Sequence, residues 1–95
     1  MQDKKECYIT GVTHGLHKHH VFGAANRDNS ERFGLTVWLI PELHNLSERG
    51  VHCNKEMMDL LHRAGQLAFE RVHGTRQQFI EIFGQDYIGD TYDFN

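Results

Sequence analysis

One proline, two cysteines and no excess of basic residues are the shortages that first bound this chain. With Pro41 alone, no repeat and no linker long enough to divide the sequence, nothing breaks it into parts. Cys7 and Cys53 sit among histidines in a chain that reads as cytoplasmic, so free thiols or metal thiolates are expected in place of a structural disulfide. The formal charge of -3 offers none of the basic surplus by which nucleic-acid binders usually announce themselves. A bound divalent cation would reverse that locally, because a metal is often the largest single charge in its site and can hold a phosphate there. No apolar run reaches the roughly eighteen residues of a membrane span, and the start, "MQDKKE", lacks the apolar stretch of a signal peptide. Cytoplasmic residence, with no membrane partner, is the expectation.

What is present is ordinary for a globule: 39% apolar and 24% charged residues in a chain of 95. That length suits one domain, which buries only roughly two-thirds of the surface its unfolded chain exposes. The core should be thin, and a thin core makes self-association as a homodimer, with the longest helix as the contact, an expectation from size. Residues 1–88 read as the domain and residues 89–95 as an acidic tail, partly disordered.

Local patterns give an α+β chain. "CYIT" followed by Gly11 reads as a short strand or knuckle entering a turn, and Leu16 to Phe22 as a strand bounded by Gly15 and Gly23. The polar stretch "GAANRDNSER", Gly23 to Arg32, reads as a loop leading to "LTVWLI", Leu35 to Ile40, a β run ended by Pro41. Two strands across such a loop make a wide hairpin. After it, "ELHNLSER" suits a short helix opened by Pro41 and closed by Gly50. A longer helix has Asn54 as N-cap and Met57, Leu61, Ala64, Ala68 and Val72 on one face, with Leu60, Leu67 and Phe69 broadening the apolar surface so that it packs on two sides, and Gly74 as its stop. Gln77 to Phe83 makes a last short helix ended by Gly84. Trp38 and Phe22 are expected in the core, Met57 and Met58 as core filling.

The chemistry lies in the eight histidines, three of which fall within "LHKHHVF", Leu16 to Phe22. A strand sends neighbouring side chains to opposite faces, so His19 and His20 would share a site only from two directions, one as ligand and one as base. His44 and His52, beyond the second strand, can complete a metal shell. Three neutral imidazoles leave open positions for water and substrate, as catalytic sites do and closed structural ones do not. His14 and His17 read as turn and strand residues, and His62 and His73 as solvent-facing.

The order of a double histidine at a strand end, a loop, a second strand and a helix bearing His44 resembles the ββα-metal, or HNH, nuclease finger. With "CYITG" ahead of it and "LHN" and "GVH" behind, the string from about Cys7 to Tyr87 is similar to small HNH-like proteins of phages and prophages, distantly related to phage recombination-enhancement nucleases. The resemblance implies a metal-dependent DNA endonuclease with an HNH core and two packing helices. His20 would be the general base, and His19, His44 and His52 would bind one divalent ion (Zn, Mg, Mn or Ni). His52 stands further from His44 than the family's one-turn spacing. The bracing Asn of the family would fall near Phe33 or Gly34, where there is none, with Asn26, Asn29 or Asn45 as substitutes. Thr10 stands where zinc-knuckle relatives carry a second cysteine, which makes a second, structural zinc site unexpected unless Cys7 and Cys53 recruit His14 or His17.

An imidazole near its reference pKa of about 6.5 can take a proton from water at neutral pH when its ring is fixed. The metal would stabilise charge on the phosphate, Arg27 or Arg32 would grip it by paired hydrogen bonds, and Lys18 or Lys55 would add unspecific attraction. Against this stands a zinc-stabilised binding module for nucleic acid or protein that has kept the finger and lost catalysis. The missing Asn and the acidic charge favour that alternative.

Overall fold

The computed structural model describes residues 1–44 and 55–89, and shows a small α+β domain: a two-stranded antiparallel hairpin with helices packed around it. Strand β1 is His17–His20 and strand β2 is Thr36–Leu39, paired His17 with Leu39, Lys18 with Trp38, His19 with Val37 and His20 with Thr36. The alternation expected of a strand is kept through both histidines. His19 is buried, whereas Lys18 is exposed on the other face. The free edge of β2 is covered by the amino-terminal segment. Cys7 forms a parallel bridge to Trp38, Tyr8 donates its N–H to the Trp38 carbonyl, and the Gln2 side chain accepts the Trp38 N–H. An open sheet edge is thereby satisfied.

The stretch read as a loop, Gly23 to Arg32, is instead a 3-10 turn, Ala24–Asn26, running into helix α1, Arg27–Arg32. Its polar composition misleads because its polar side chains are spent on neighbours. The Ser30 hydroxyl, fully buried, donates to the Phe22 carbonyl at 2.7 Å and accepts the Phe22 N–H at 3.0 Å. Asn26 and Asn29 donate to the carbonyls of Phe83 and Ile82, and Asn29 also donates to the Asn26 side chain. These bonds hold α1 against both the end of β1 and the last helix. No local pattern records them.

After β2 the chain turns at Pro41, and residues 41–44 are helical, with the N–H groups of Leu43 and His44 both reaching the Ile40 carbonyl. The remainder of the expected "ELHNLSER" helix, with Asn45, His52, Cys53 and the Asn54 cap, lies outside the described residues. So does the tail beyond residue 89.

Helix α2, Lys55–Val72, buries Leu61, Gly65, Gln66 and Phe69, and Val72 is 73% exposed. Of the expected face, Leu61 is fully buried and Met57 and Ala68 pack against the core, but Val72 is exposed and the buried stripe runs through Gly65, Gln66 and Phe69 instead. Phe69, the bulkiest apolar side chain near its end, turns toward the core and takes its helical neighbours Leu61 and Gly65 with it. Helix α3, Arg76–Phe83, begins on a capping box in which the Thr75 hydroxyl accepts the Gln78 N–H and the Gln78 side chain accepts the Thr75 N–H; Gly84 closes it at φ +88°.

The core lies between the hairpin and these helices and is rich in phenylalanine. Phe22 touches Phe79 and Phe83 with centroids 5.3 and 4.9 Å away, and Phe79 stacks on Phe83 at 4.5 Å. Val21, Leu35, Val37, Leu39 and Leu61 complete it. Phe22 is in the core as expected; Trp38 is only half-buried, with the Lys5 ammonium 4.6 Å from its ring centre. Gln66, with no exposed surface, donates to Glu70 and Asp86 and accepts the Tyr87 N–H, which fastens the segment after α3 onto α2. No helix among the described residues is long and apolar enough to cross a membrane.

Candidate functional site

The register of the hairpin decides which histidines meet. His17 and His19 are two apart on β1 and share a face, while β2 ends opposite His17 and the chain then turns back through Pro41. That turn brings His44 onto the same histidines. Its ring centroid lies 5.3 Å from that of His17 and 5.5 Å from that of His19, both edge-on. The Nδ1 atoms of His17 and His44 are 3.2 Å apart. His17, read from the sequence as a plain strand residue, is thus a neighbour of the site.

His20 leaves the strand on the other face and meets helix α1. Its Nε2 lies 2.7 Å from one oxygen of Glu31, whose other oxygen accepts from the Lys18 ammonium at 2.9 Å. Glu31 bridges the two β1 residues of that face. The hydrogen bonds from Lys18 and then His20 hold its carboxyl below the ordinary carboxylate value. A carboxylate oxygen only accepts, so Nε2 of His20 carries the hydrogen of this bond and the ring is held in place by it. The sequence reading missed Glu31. The helix that sets this carboxylate beside the strand end is held by partners far along the chain, Phe83 and Ile82, so no local pattern announces it.

Although their side chains leave β1 on opposite faces, His19 and His20 line one cleft of about 320 Å³, with Lys18, Gly23, Ala24, Arg27 and His44. Ala24 turns the chain there at φ +50°, a left-handed conformation that costs an L-residue roughly 1–2 kcal/mol. An adjoining cleft of about 440 Å³ is shared by Lys18, His20, Arg27, Asp28 and Glu31. Arg27 is exposed at the head of α1 and faces both clefts. Arg32 lies instead over the Phe33 ring, with its guanidinium carbon 5.1 Å from the centroid. Lys55 pairs with Asp59 on α2. The structure therefore gathers His19, His20, Arg27 and His44 and leaves Arg32 and Lys55 aside.

Asn26 and Asn29 do not stand behind His20, because their amides are engaged with the end of α3. The side chain bonded to the His20 ring is Glu31. His62 is a further correction: it is not solvent-facing but half-buried, stacked on Phe22 at 5.3 Å and 4.6 Å from the Tyr87 ring centre. His73 is exposed, as expected.

Cys7 is buried within the knuckle, its sulfur accepting the Thr10 N–H at 3.4 Å while Gly11, at φ +81°, donates to the Cys7 carbonyl. Burial pushes its thiol up, and hydrogen bonds from the Thr10 side chain and from the backbone of Thr10, Ile40 and Ile9 outweigh that, leaving it below its ordinary value. Among the described residues, no group of three or more histidines, cysteines or carboxylates is disposed to hold a metal ion. His52, the third ligand expected from the sequence, lies outside them. Imidazole nitrogens as a donor class suit a borderline ion such as zinc or nickel. No protein-family model, curated protein or solved structure matches the chain.

Proposed function

We propose that the protein is a metal-dependent endonuclease that hydrolyses phosphodiester bonds of DNA on a ββα-metal core, distantly similar to the phage recombination-enhancement nucleases. The observation that carries this reading is the convergence of His19, His20, Arg27 and His44 on one cleft, with the His20 ring held by a carboxylate. His20 donates its Nε2–H to Glu31, so that Nδ1 can take a proton from a water molecule as that water attacks phosphorus. Glu31 keeps the ring oriented and stabilises the imidazolium that forms. Arg27 grips a non-bridging phosphate oxygen by paired hydrogen bonds, and Lys18 adds positive charge at the same mouth. His19, His44 and His52 are the proposed ligands of one divalent ion, Zn, Mg, Mn or Ni. When bound, that ion supplies charge stabilisation at the phosphate and at the departing 3'-oxygen. With a formal charge of -3 on the whole chain, attraction for DNA rests on this local cluster of positive groups.

The test is supercoiled plasmid incubated with the purified protein and Mg, Mn, Ni or Zn, with and without chelator. Nicking that needs metal, disappears in His20→Ala and slows at least about tenfold in Glu31→Gln is the expected result. The Glu31 effect should stay below the roughly 10⁴-fold loss seen when a fully buried carboxylate behind a histidine base is neutralised, because Glu31 is exposed. No nicking with any metal, or equal nicking by His20→Ala, refutes the reading. DNA retention without cleavage would point to the binding module.

A further inference from the structure

From the geometry of the hairpin mouth we infer that His17 is a metal ligand, sharing one divalent cation with His44 through the Nδ1 atoms of both rings. The inference rests on the metal-centre reading above and gives His17 the third ligand position, beside His44 and His19, in place of His52, so that the ion would keep an open position for the phosphate.

The separation of the two nitrogens is the first argument. Two nitrogens each bound at 2.0–2.1 Å to one tetrahedral ion lie about 3.3–3.4 Å from one another. The observed Nδ1–Nδ1 distance is 3.2 Å. With each ring aiming its nitrogen at the shared ion, the centroids of such a pair fall about 5 Å apart. The His17 and His44 centroids are 5.3 Å apart and their planes nearly perpendicular, at 85°. Two ring nitrogens face one another at this range only with a proton or a cation between them, and His44 lines the cleft.

The second argument is how the pair is built. His17 is the first residue of β1, paired with Leu39 at the last residue of β2, so it occupies the end of the sheet where the chain turns back. His44 is held by the bond from its N–H to the Ile40 carbonyl, one turn after Pro41. Both backbones are therefore fixed by short-range structure, which is the pre-organisation a chelating pair needs. His19, on the same strand face, brings a third ring to 5.5 Å from His44. His17 is exposed, so an ion reaches it from solvent without rearrangement of the core.

A hydrogen bond between the two rings gives similar distances, and the test separates it from chelation. Titration of the full chain with Co²⁺ at constant neutral pH, followed by visible absorption, reads binding without any need for activity. His17→Asn places an amide near the position of Nδ1, keeping a hydrogen-bond partner for His44 but offering a poor ligand to cobalt. The expected result is one Co²⁺ bound by wild type, affinity reduced at least tenfold in His17→Asn, and no change in His14→Ala, which replaces an exposed loop histidine. Long-range ¹H–¹⁵N spectra of wild type with Zn²⁺ should show Nδ1 of both His17 and His44 shifted on binding, which answers the question even if a variant folds badly. Binding by wild type with unchanged affinity in His17→Asn, or a His17 Nδ1 unmoved by Zn²⁺, overturns the inference and leaves the metal centre itself standing. Failure of wild type to bind either ion overturns both.

Discussion

Gly65→Ala sets two known effects against each other in the middle of α2, and the structure says which should win. Alanine is favoured over glycine in a helix interior by about 0.8–1.0 kcal/mol, so the substitution would stabilise an exposed helix. Gly65, however, is buried where α2 crosses the end of β1. A Cβ there would lie 2.9 Å from Cε2 of Phe22, 2.9 Å from Cγ1 of Val21 and 3.1 Å from Cζ of Phe22, against about 3.5–4.0 Å for a comfortable carbon contact. Phe22 has no room to yield. Its ring is flanked by Phe79, Phe83, Tyr87 and His62, all with centroids within 5.3 Å. Overpacking of this kind costs about 1–3 kcal/mol, which exceeds the helical gain and leaves a net loss of roughly 1 kcal/mol. For a domain of this size that corresponds to a fall of about 4–8 °C in Tm, measurable by circular dichroism. Phe22→Leu, which removes the ring that clashes, should couple to it: the double variant should lose less than the two single losses added together. A Tm for Gly65→Ala at or above wild type, or simple additivity in the cycle, would refute the reasoning. Since Val21 and Phe22 directly follow His20, the same clash should also disturb the cleft.

Ser30→Ala removes a hydroxyl that serves both the N–H and the carbonyl of Phe22, and should cost about 2–4 kcal/mol because both groups stay buried without a partner; a urea midpoint equal to wild type would show that water replaces it. His62 gives a pH dependence with a definite sign. Burial against Phe22 and Tyr87 lowers its pKa from 6.5, outweighing the nearby Asp59 carboxylate and the Val21 backbone, so the unfolded chain binds the proton more readily than the folded one. Its contribution is therefore present above pH 6.5 and is lost as pH falls through the folded value. The difference in unfolding free energy between wild type and His62→Phe, measured from pH 8 to pH 5, should shift against wild type on the acid side. A difference that stays flat would contradict it.

The two strands and the last helix were legible because their signals are local: β-branched and aromatic runs bounded by glycine and proline, and a helix that Gly84 ends in the left-handed region. The double histidine at the strand end and the histidine after Pro41 were legible for the same reason, being matters of spacing. Helix α1 was not. Its polar residues are stabilised by partners far along the chain, such as Phe83 for Asn26, and a window of ten residues cannot weigh a bond made across fifty-seven. Glu31 was missed with it. The burial of His62 escaped for a related reason, since helical periodicity ranks faces by apolarity and a histidine stacked among aromatics counts as polar.

By itself, then, the sequence determined the α+β composition, the strand that carries His17, His19 and His20, and the turn that returns His44 toward it, because backbone preference and side-chain alternation act between near neighbours. Only the tertiary structure decided which of those rings meet. The register of β1 against β2 sets His17 and His19 beside His44, and the packing of α1 sets Glu31 against His20. Contacts of that kind depend on how separate elements lie in space, a quantity that no periodicity along the chain encodes.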